Sequence, residues 1–514
     1  MMRRPHGTDD AAAVASLGYV QRLDRSLSHF ALFSLQFSYI SVLTSMFLLF
    51  GFAYGFAGPS LIWPWATFFA GQMLVTLLFC ELASRYPVAG SVYNWSKKLA
   101  PGWMSWMSGW MVVLLGPITL AAVALPAQAI VPAIWPSLQV IGSGSDPVSY
   151  AENAVLLGGV LVLLTTAINC ARVRSLGRIN NLTVIAEFVV CVVLIVALFS
   201  HAHRSPAVVF NTLGIGKGFY GGYFGAFLIA SFLGGYQFNG MDTASTLAEE
   251  TTDPHRRAPL SILNAMFGSF ILGLLLLVAA VVAVPSLVSG KIATLGLSYV
   301  VDQVLGKGLG NVLLVGALIA VFGCALAVQA GGVRIMFGMA RDNQLPYSRR
   351  MAHVSKTTRA ITVPTIVVGV IAIALLVLNI KSTQIVAIIS AAAITTCAVA
   401  YLFVTVPLLI ARLKGTWPPP AEPGRKYFSL GRLGLPINIL AVAWGIAITI
   451  NLLWPRRAVF NPTPPFHWYF DYGPLIYIGV VVLAGSAYYS FSRRSHREVL
   501  PEHQAATTPQ GIEV

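Results

Sequence analysis

Hydrophobic residues fall in long blocks along this chain, not in alternation. Apolar segments lie near 30–53, 62–83, 103–126, 153–171, 179–200, 219–247, 260–285, 309–337, 361–379, 384–411, 434–454 and 472–491, with short polar segments between them. Each is about 18 residues or longer, enough for a helix to cross a hydrocarbon core about 30 Å thick. Barrel strands would alternate polar and apolar positions over segments of about ten residues, and these blocks do not. The pattern predicts an all-α polytopic membrane protein with about 12 transmembrane helices. Polar stretches divide it into an arm at 1–28, a core of ten spans at 29–411, a linker at 412–433, two further spans at 434–491 and a tail at 492–514. The linker carries Pro418, Pro419, Pro420 and then Pro423-Gly424, the composition of a semi-rigid spacer. The polar tail is expected to be disordered. Residues 1–28 lack the apolar core of a cleavable signal peptide, so the first span is expected to direct insertion.

The sixth block departs from the others. Its glycines at 234, 235 and 240 weaken a helix just where polar residues begin, and Asp242 follows before Glu249 and Glu250. A charge at the centre of a membrane helix costs roughly 2.5–3.5 kcal/mol on insertion scales. A helix interrupted at that depth must satisfy its freed backbone groups with protein, water or a ligand, and in transporters such breaks hold the substrate. If ten spans form two inverted repeats of five, the first span should break at the matching depth. Its run Ser38-Tyr39-Ile40-Ser41-Val42-Leu43-Thr44-Ser45 is rich in hydroxyls and has no glycine before Gly51. Hydroxyls can satisfy a broken helix or bond back within an intact one; the symmetry argument places a break near 40–45.

Composition agrees with a membrane protein: 56% of the 514 residues are hydrophobic and only 10% charged, against about 25% charged in soluble domains. The net charge of +15 reports topology and gives no sign of a nucleic-acid partner. Of the 33 Lys and Arg, 25 fall in segments on one side of the predicted membrane, seven on the other, and Arg334 lies within a span. By the positive-inside rule both termini are cytoplasmic; in a bacterium the membrane would be the inner one. Cysteines 80, 170, 191, 324 and 397 lie in or beside apolar spans without a C-x-x-C, so neither a disulfide framework nor a metal site is implied. No cofactor is expected, and the absence of a G-x-x-x-x-G-K-[ST] loop excludes the usual ATP-driven site.

Three motifs make the resemblance specific. The run from Glu81 through Arg85, Tyr86, Pro87 and Gly90 to Ser96 looks like the signature that follows the second span in the amino acid–polyamine–organocation (APC) superfamily. Gly240 to Glu250, continued to Pro259, resembles its sixth-span pattern, and Met339 to Pro346 its eighth-span terminus. The first-span run is similar to the amino acid/choline transporter branch. The resemblance implies a LeuT-like 5+5 inverted repeat plus two C-terminal helices. It also implies a permease for amino acids or related small amines, sodium-independent, proton-coupled as a symporter or working as an exchanger. The substrate would lie between the two broken helices, at Ser41, Val42, Leu43, Thr44 and Ser45 in the first span and Tyr236, Gln237, Phe238, Asn239, Gly240 and Asp242 in the sixth. Two departures stand out. Many amino acid permeases have a glycine-serine-glycine step where this chain has Thr44-Ser45, and branch relatives commonly carry a glutamine where Pro117 follows Gly116.

Glu187 is the second acid at mid-depth. A carboxyl there could load and release a proton, hold a substrate ammonium while ionised, or serve structure. Asp242 could instead cap a half-helix from Thr243 to Glu250. Tyr236 and Phe238 could close over an amine by cation–π contact. Arg85, Glu249, Glu250 and Arg341 are expected to pair as a cytoplasmic gate, and Arg334 to snorkel to the inner surface. Two acids and the missing glycine step tilt the substrate toward cationic amino acids and amines. An intramembrane enzyme would need a catalytic pair at matching depth, and none is found. A sensor or channel remains as the rival, to be separated by accumulation against a gradient.

Overall fold

The computed structural model describes residues 18–20, 23, 27–100, 102–171, 173–216, 219, 221–355, 357, 358, 360–420, 425–462, 464, 466–492 and 499–504. The chain is an all-α polytopic membrane protein, with no strand among the described residues beyond two isolated bridges. Nine helical segments of the described residues are long and apolar enough to cross a membrane. One, His29–Arg85, has 57 residues and folds back at Gly58–Leu61, enough length for two passes.

In chain order the principal helices are α1 (His29–Ile40), α2 (Val42–Ala57), α3 (Ile62–Arg85), α4 (Ser91–Leu99), α5 (Trp103–Ala124), α6 (Pro126–Ile134), α7 (Pro147–Asn169) and α8 (Val173–Ser200). They continue as α9 (Gly222–Ala230), α10 (Phe232–Gln237), α11 (Thr243–Thr246), α12 (Pro254–Ala283), α13 (Gly290–Arg341), α14 (Thr362–Leu378), α15 (Ile385–Leu413), α16 (Gly434–Leu453) and α17 (Gly473–Ser492). Local chemistry sets several ends. Ser28 caps α1 by accepting the Ala31 N–H at 3.1 Å, and Asp146 caps α7 ahead of Pro147 at its first position, each satisfying an amide the helix leaves open. The eighth predicted span, 309–337, is the inner part of the much longer α13, which kinks at Gly296 and Gly306 where φ is positive.

Burial is inverted relative to a soluble protein. Gln36, Glu187, Asp242, Glu249 and Arg341 are buried, while Leu163, Leu182, Val196, Leu483 and Phe491 stand exposed on α7, α8 and α17. Such an apolar flank suits hydrocarbon and leaves the polar groups to satisfy one another inside. α13 packs against α2, α8 and α5, and α15 against α5 and α16. The α5–α13 crossing has backbone in contact with backbone: a Cβ on Gly332 would lie 2.9 Å from the Gly116 Cα.

The polar segments do not hang free. Glu81 pairs with Arg412 and accepts the Trp417 indole N–H at 3.2 Å and the Leu430 N–H at 3.3 Å. The 412–433 segment, read above as a spacer, is therefore strapped to α3, apart from 421–424, which lie outside the described residues. The tail needs a similar correction at 499–504. Leu500 is buried and donates its N–H to the Arg341 carbonyl at 3.0 Å, one of the groups a helix C-terminus leaves unsatisfied. Tyr19 and Gln504 form an antiparallel bridge, so the described residues nearest each terminus meet at one end of the bundle. The rest of the expected disordered tail (493–498 and 505–514) and of the arm (1–17, 21, 22 and 24–26) lies outside the described residues.

Candidate functional site

The first span breaks at Ser41. α1 ends at Ile40, Ser41 has φ 21° and ψ 108°, and α2 begins at Val42. A serine tolerates this break because its own atoms take over the capping. Its Oγ accepts the Thr44 N–H at 3.2 Å, and its carbonyl accepts the Ser45 N–H at 3.2 Å and the Ser45 hydroxyl at 2.9 Å. Glu187 reaches in from α8: its Oε1 accepts the Ser41 hydroxyl at 2.7 Å and the Leu43 N–H at 3.3 Å. A carboxylate at a helix N-terminus is favoured by the half-helix dipole. The other oxygen, Oε2, is buried with no partner among the described residues.

The sixth span breaks between Gln237 and Thr243. Gly240 has φ +71°, and a Cβ there would overlap the Tyr39 ring, so a glycine is needed on both counts. Tyr39 lies two residues before the first break, which brings the two breaks together. The Gly240 N–H donates to the Tyr401 hydroxyl at 3.1 Å. Asp242 accepts from the Ser91 hydroxyl at 2.6 Å and the Tyr401 hydroxyl at 2.7 Å. It makes no side-chain cap to α11, correcting the capping alternative raised above. The reason is conformational: Asp242 is already helical, at φ −87° and ψ −1°, whereas a capping residue takes a non-helical backbone, typically in the β region. Gln36 of α1 does the capping, accepting the Ala244 N–H at 2.7 Å.

The remaining sixth-span candidates face different ways. Phe238 packs on Trp65 and Phe69 of α3, ring centroids 5.3 and 5.1 Å apart, and Gln237 accepts the Trp65 indole N–H at 3.0 Å. Asn239 lines a small pocket with Phe68, Gln72, Tyr401 and Trp444, and its amide has no partner among the described residues. Tyr236 is buried, its hydroxyl without a partner among the described residues. A second small pocket lies between α1, α5, the sixth break and α13, lined by Tyr39, Gly116, Asp242, Thr246 and Gly332. Ser41, Leu43, Thr44, Ser45 and Glu187 thus form one cluster and Gly240 and Asp242 another, with Tyr39 between them; Val42 is buried beside the first.

At the end that carries the termini the bundle is closed by ion pairs. Glu249 accepts from Arg341 at 2.9 Å and from the Ala89 N–H at 2.9 Å. Glu250 takes two bonds from Arg334, at 2.5 and 2.9 Å. Arg334 is therefore buried and fully engaged, not snorkelling, because a forked carboxylate lies within reach of its fork. Arg85 is not brought to Glu249; it donates to the Pro419 carbonyl at 2.7 Å and lies 4.6 Å from the Tyr427 ring centroid. Asp342 accepts from Lys97 at 2.5 Å and from Tyr93 at 2.8 Å. Tyr19 sits 3.7 Å below the Arg341 guanidinium. Burial, and then Asp342, push the Tyr19 hydroxyl up to about 12. Burial works against the Lys97 charge, but Asp342 and Tyr19 outweigh it and hold that ammonium above its ordinary value.

Two interrupted helices that meet at their breaks beside buried acids, inside an apolar flank, fit a membrane transporter of the broken-helix class. Sequence comparison takes this a step further. The amino acid permease family model matches residues 27–482, and the chain belongs to that family. It is similar to amino-acid permease BAT1 of Arabidopsis thaliana, 27% identical over 504 residues that cover 93% of each chain. The BAT1 homolog of Oryza sativa is 27% identical over 89% of this chain and 91% of its own. Amino-acid permease 2 of Neurospora crassa is 24% identical over 97% of this chain and 92% of its own.

Gln36, Tyr39, Ser91 and Tyr401 were not singled out from the sequence. Gln36 carried a signal, being the one amide in the first apolar block. The tyrosines carried none, because their role depends on which helices meet.

Proposed function

We propose that this permease carries an amino acid or a related small amine across the membrane by alternating access, without sodium, and that Glu187 couples the cycle to a proton. The observation that carries the reading is Glu187 itself. It bonds across the first break through one carboxylate oxygen and leaves the other open. A proton arriving at the open oxygen would weaken the hold of the carboxylate on the α2 amides, since a neutral carboxyl is the poorer acceptor. The first break would then be free to change angle. The termini-bearing end is read as cytoplasmic from its excess of Lys and Arg. There the Glu249–Arg341 and Glu250–Arg334 pairs form the closed inner gate, with Asp342–Lys97 beside them.

The substrate reading follows from what the first half-helix has left to offer. The Leu43, Thr44 and Ser45 amides already have partners inside the chain, so an incoming α-carboxylate finds little bare backbone there. Recognition through the ammonium is favoured, as with lysine, arginine, 4-aminobutyrate or putrescine. Proteoliposomes with an imposed pH gradient and no sodium test this, on wild type and Glu187→Gln. Loss of gradient-driven accumulation in the variant, with counterflow exchange kept, supports proton coupling. Loss of both marks Glu187 as the ammonium ligand, and an unchanged variant removes it from the mechanism. Equilibration without accumulation in wild type supports a channel.

A further inference from the structure

Gln36 bonds to a break that lies in another span and to the half-helix that follows it. Its carboxamide oxygen accepts the Ala244 N–H of α11 at 2.7 Å, and its nitrogen donates to the Gly240 carbonyl at 3.2 Å. The two bonds need opposite ends of one amide, so each fixes the orientation the other requires. The side chain is wholly buried. Farther along the same two segments, the Leu27 N–H donates to the Glu250 carbonyl at 3.0 Å, and Leu27 bridges Thr251 in parallel. α1 and the 243–251 stretch are therefore fastened to each other at both ends. α2, on the other side of the first break, is tied instead to Glu187 of α8. The points left to bend are Ser41 and Gly240, the two residues with positive φ at the breaks.

We propose that Gln36 is a positioning residue that couples the two broken helices, so that α1 and the 243–251 segment move as one unit during transport. The idea rests on the transport reading above, but its mechanical part can be measured without substrate. The side-chain hydrogen bonds of Gln36 go to Gly240 and Ala244 and those of Glu187 to Ser41 and Leu43, so Gln36 acts through the Gly240–Ala244 backbone.

The test uses full-length protein carrying Gln36→Met, which fills similar space and loses both bonds, and Gln36→Glu, which keeps the acceptor and loses the donor. In proteoliposomes Gln36→Met is expected to lower kcat about tenfold or more with KM within about threefold, and Gln36→Glu to fall between it and wild type. A substrate ligand would raise KM instead. A residue that only holds the fold would lower yield and melting point while the folded fraction kept full turnover. Either result overturns the proposal. Hydrogen exchange supplies the second readout. In wild type the amides of 29–40 and 243–251 should exchange on a common time course, and in Gln36→Met those at 243–246 should run about tenfold ahead of 29–40. A common time course kept in the variant overturns the coupling. Separation of the two segments, with no amino acid or amine uptake by wild type, would remove the transport reading and leave the coupling standing.

Discussion

Replacing Arg334 with Met would leave Glu250 buried without its main partner. The side chains of the pair are only 5% and 1% exposed, and two bonds of 2.5 and 2.9 Å join them. Arg334 also donates to the Ala330 carbonyl at 2.9 Å within its own helix. Removing one member of a buried pair costs about 3–5 kcal/mol, because the other charge stays desolvated and unpaired. At 1.4 kcal/mol per tenfold, even 3 kcal/mol changes a conformational ratio by roughly a hundredfold. Part of that would fall on global stability and, on the transport cycle proposed above, part on the balance between closed and open forms of the termini-bearing end. The second share is readable with Thr246→Cys, which places a thiol in the small pocket lined by Tyr39, Gly116 and Asp242 near the closure. In the Arg334→Met background its labelling from the termini-bearing side should speed up at least tenfold, and the melting point should fall. The double variant Arg334→Met/Glu250→Met discriminates further. Replacing both members with apolar side chains is often neutral, so the double should recover most of the lost melting point while labelling stays fast. A single variant within about 1 kcal/mol of wild type, or a double as damaged as the sum of its singles, would refute the claim that this pair is desolvated and holds the end closed.

Two other predictions follow from the same geometry. Lys97 has its ammonium held above the ordinary value of 10.5, so its contribution to stability is complete below that pH and fades as pH rises through the higher folded-state value. The melting-point difference between wild type and Lys97→Met should therefore be constant across neutral pH and shrink only above about pH 10.5; a difference that disappears between pH 6 and 8 would place the effect elsewhere. Gly240→Ala meets both a positive φ, which costs roughly 1–2 kcal/mol for a residue with a Cβ, and the Tyr39 ring. Uptake should fall at least tenfold, and wild-type uptake by Gly240→Ala would show that the Tyr39–Gly240 contact does not constrain the cycle.

The long apolar blocks were enough to read an all-α polytopic membrane protein, because such blocks follow directly from the solvent each segment meets. The breaks were readable to within a few residues for the same reason: Gly240 and the Ser41–Ser45 hydroxyls are the chemistry a broken helix requires. What local sequence could not carry was pairing across helices. Arg85 and Arg341 lie at equivalent helix ends, and nothing local tells which of them reaches Glu249. Arg334 looked like a lone cation in a span until the fold brought Glu250 to it. Asp242 looked like a cap because it precedes a helix, and only its backbone angles exclude that role.

The same pairing narrows the acids down. Glu249 and Glu250 are taken by arginines, Glu81 by Arg412 and Trp417, and Asp242 by two hydroxyls. Asp342 leaves Oδ1 open, but it lies at the closed end beside Lys97, where charge exchange with solvent needs no membrane crossing. Among the described residues Glu187 alone combines mid-span position, an open oxygen and a bond to the hinge of a broken helix. A group that trades a proton or an ammonium between two sides of a membrane must be able to give up and regain a partner without dismantling the fold. Asp242 would have to break its bonds to Ser91 and Tyr401, with Tyr401 also holding Gly240. Glu187 can accept a new partner at Oε2 while Oε1 stays on Ser41, which is why Glu187→Gln is the variant that tests the coupling and Asp242→Asn the one expected to disturb the sixth-span break.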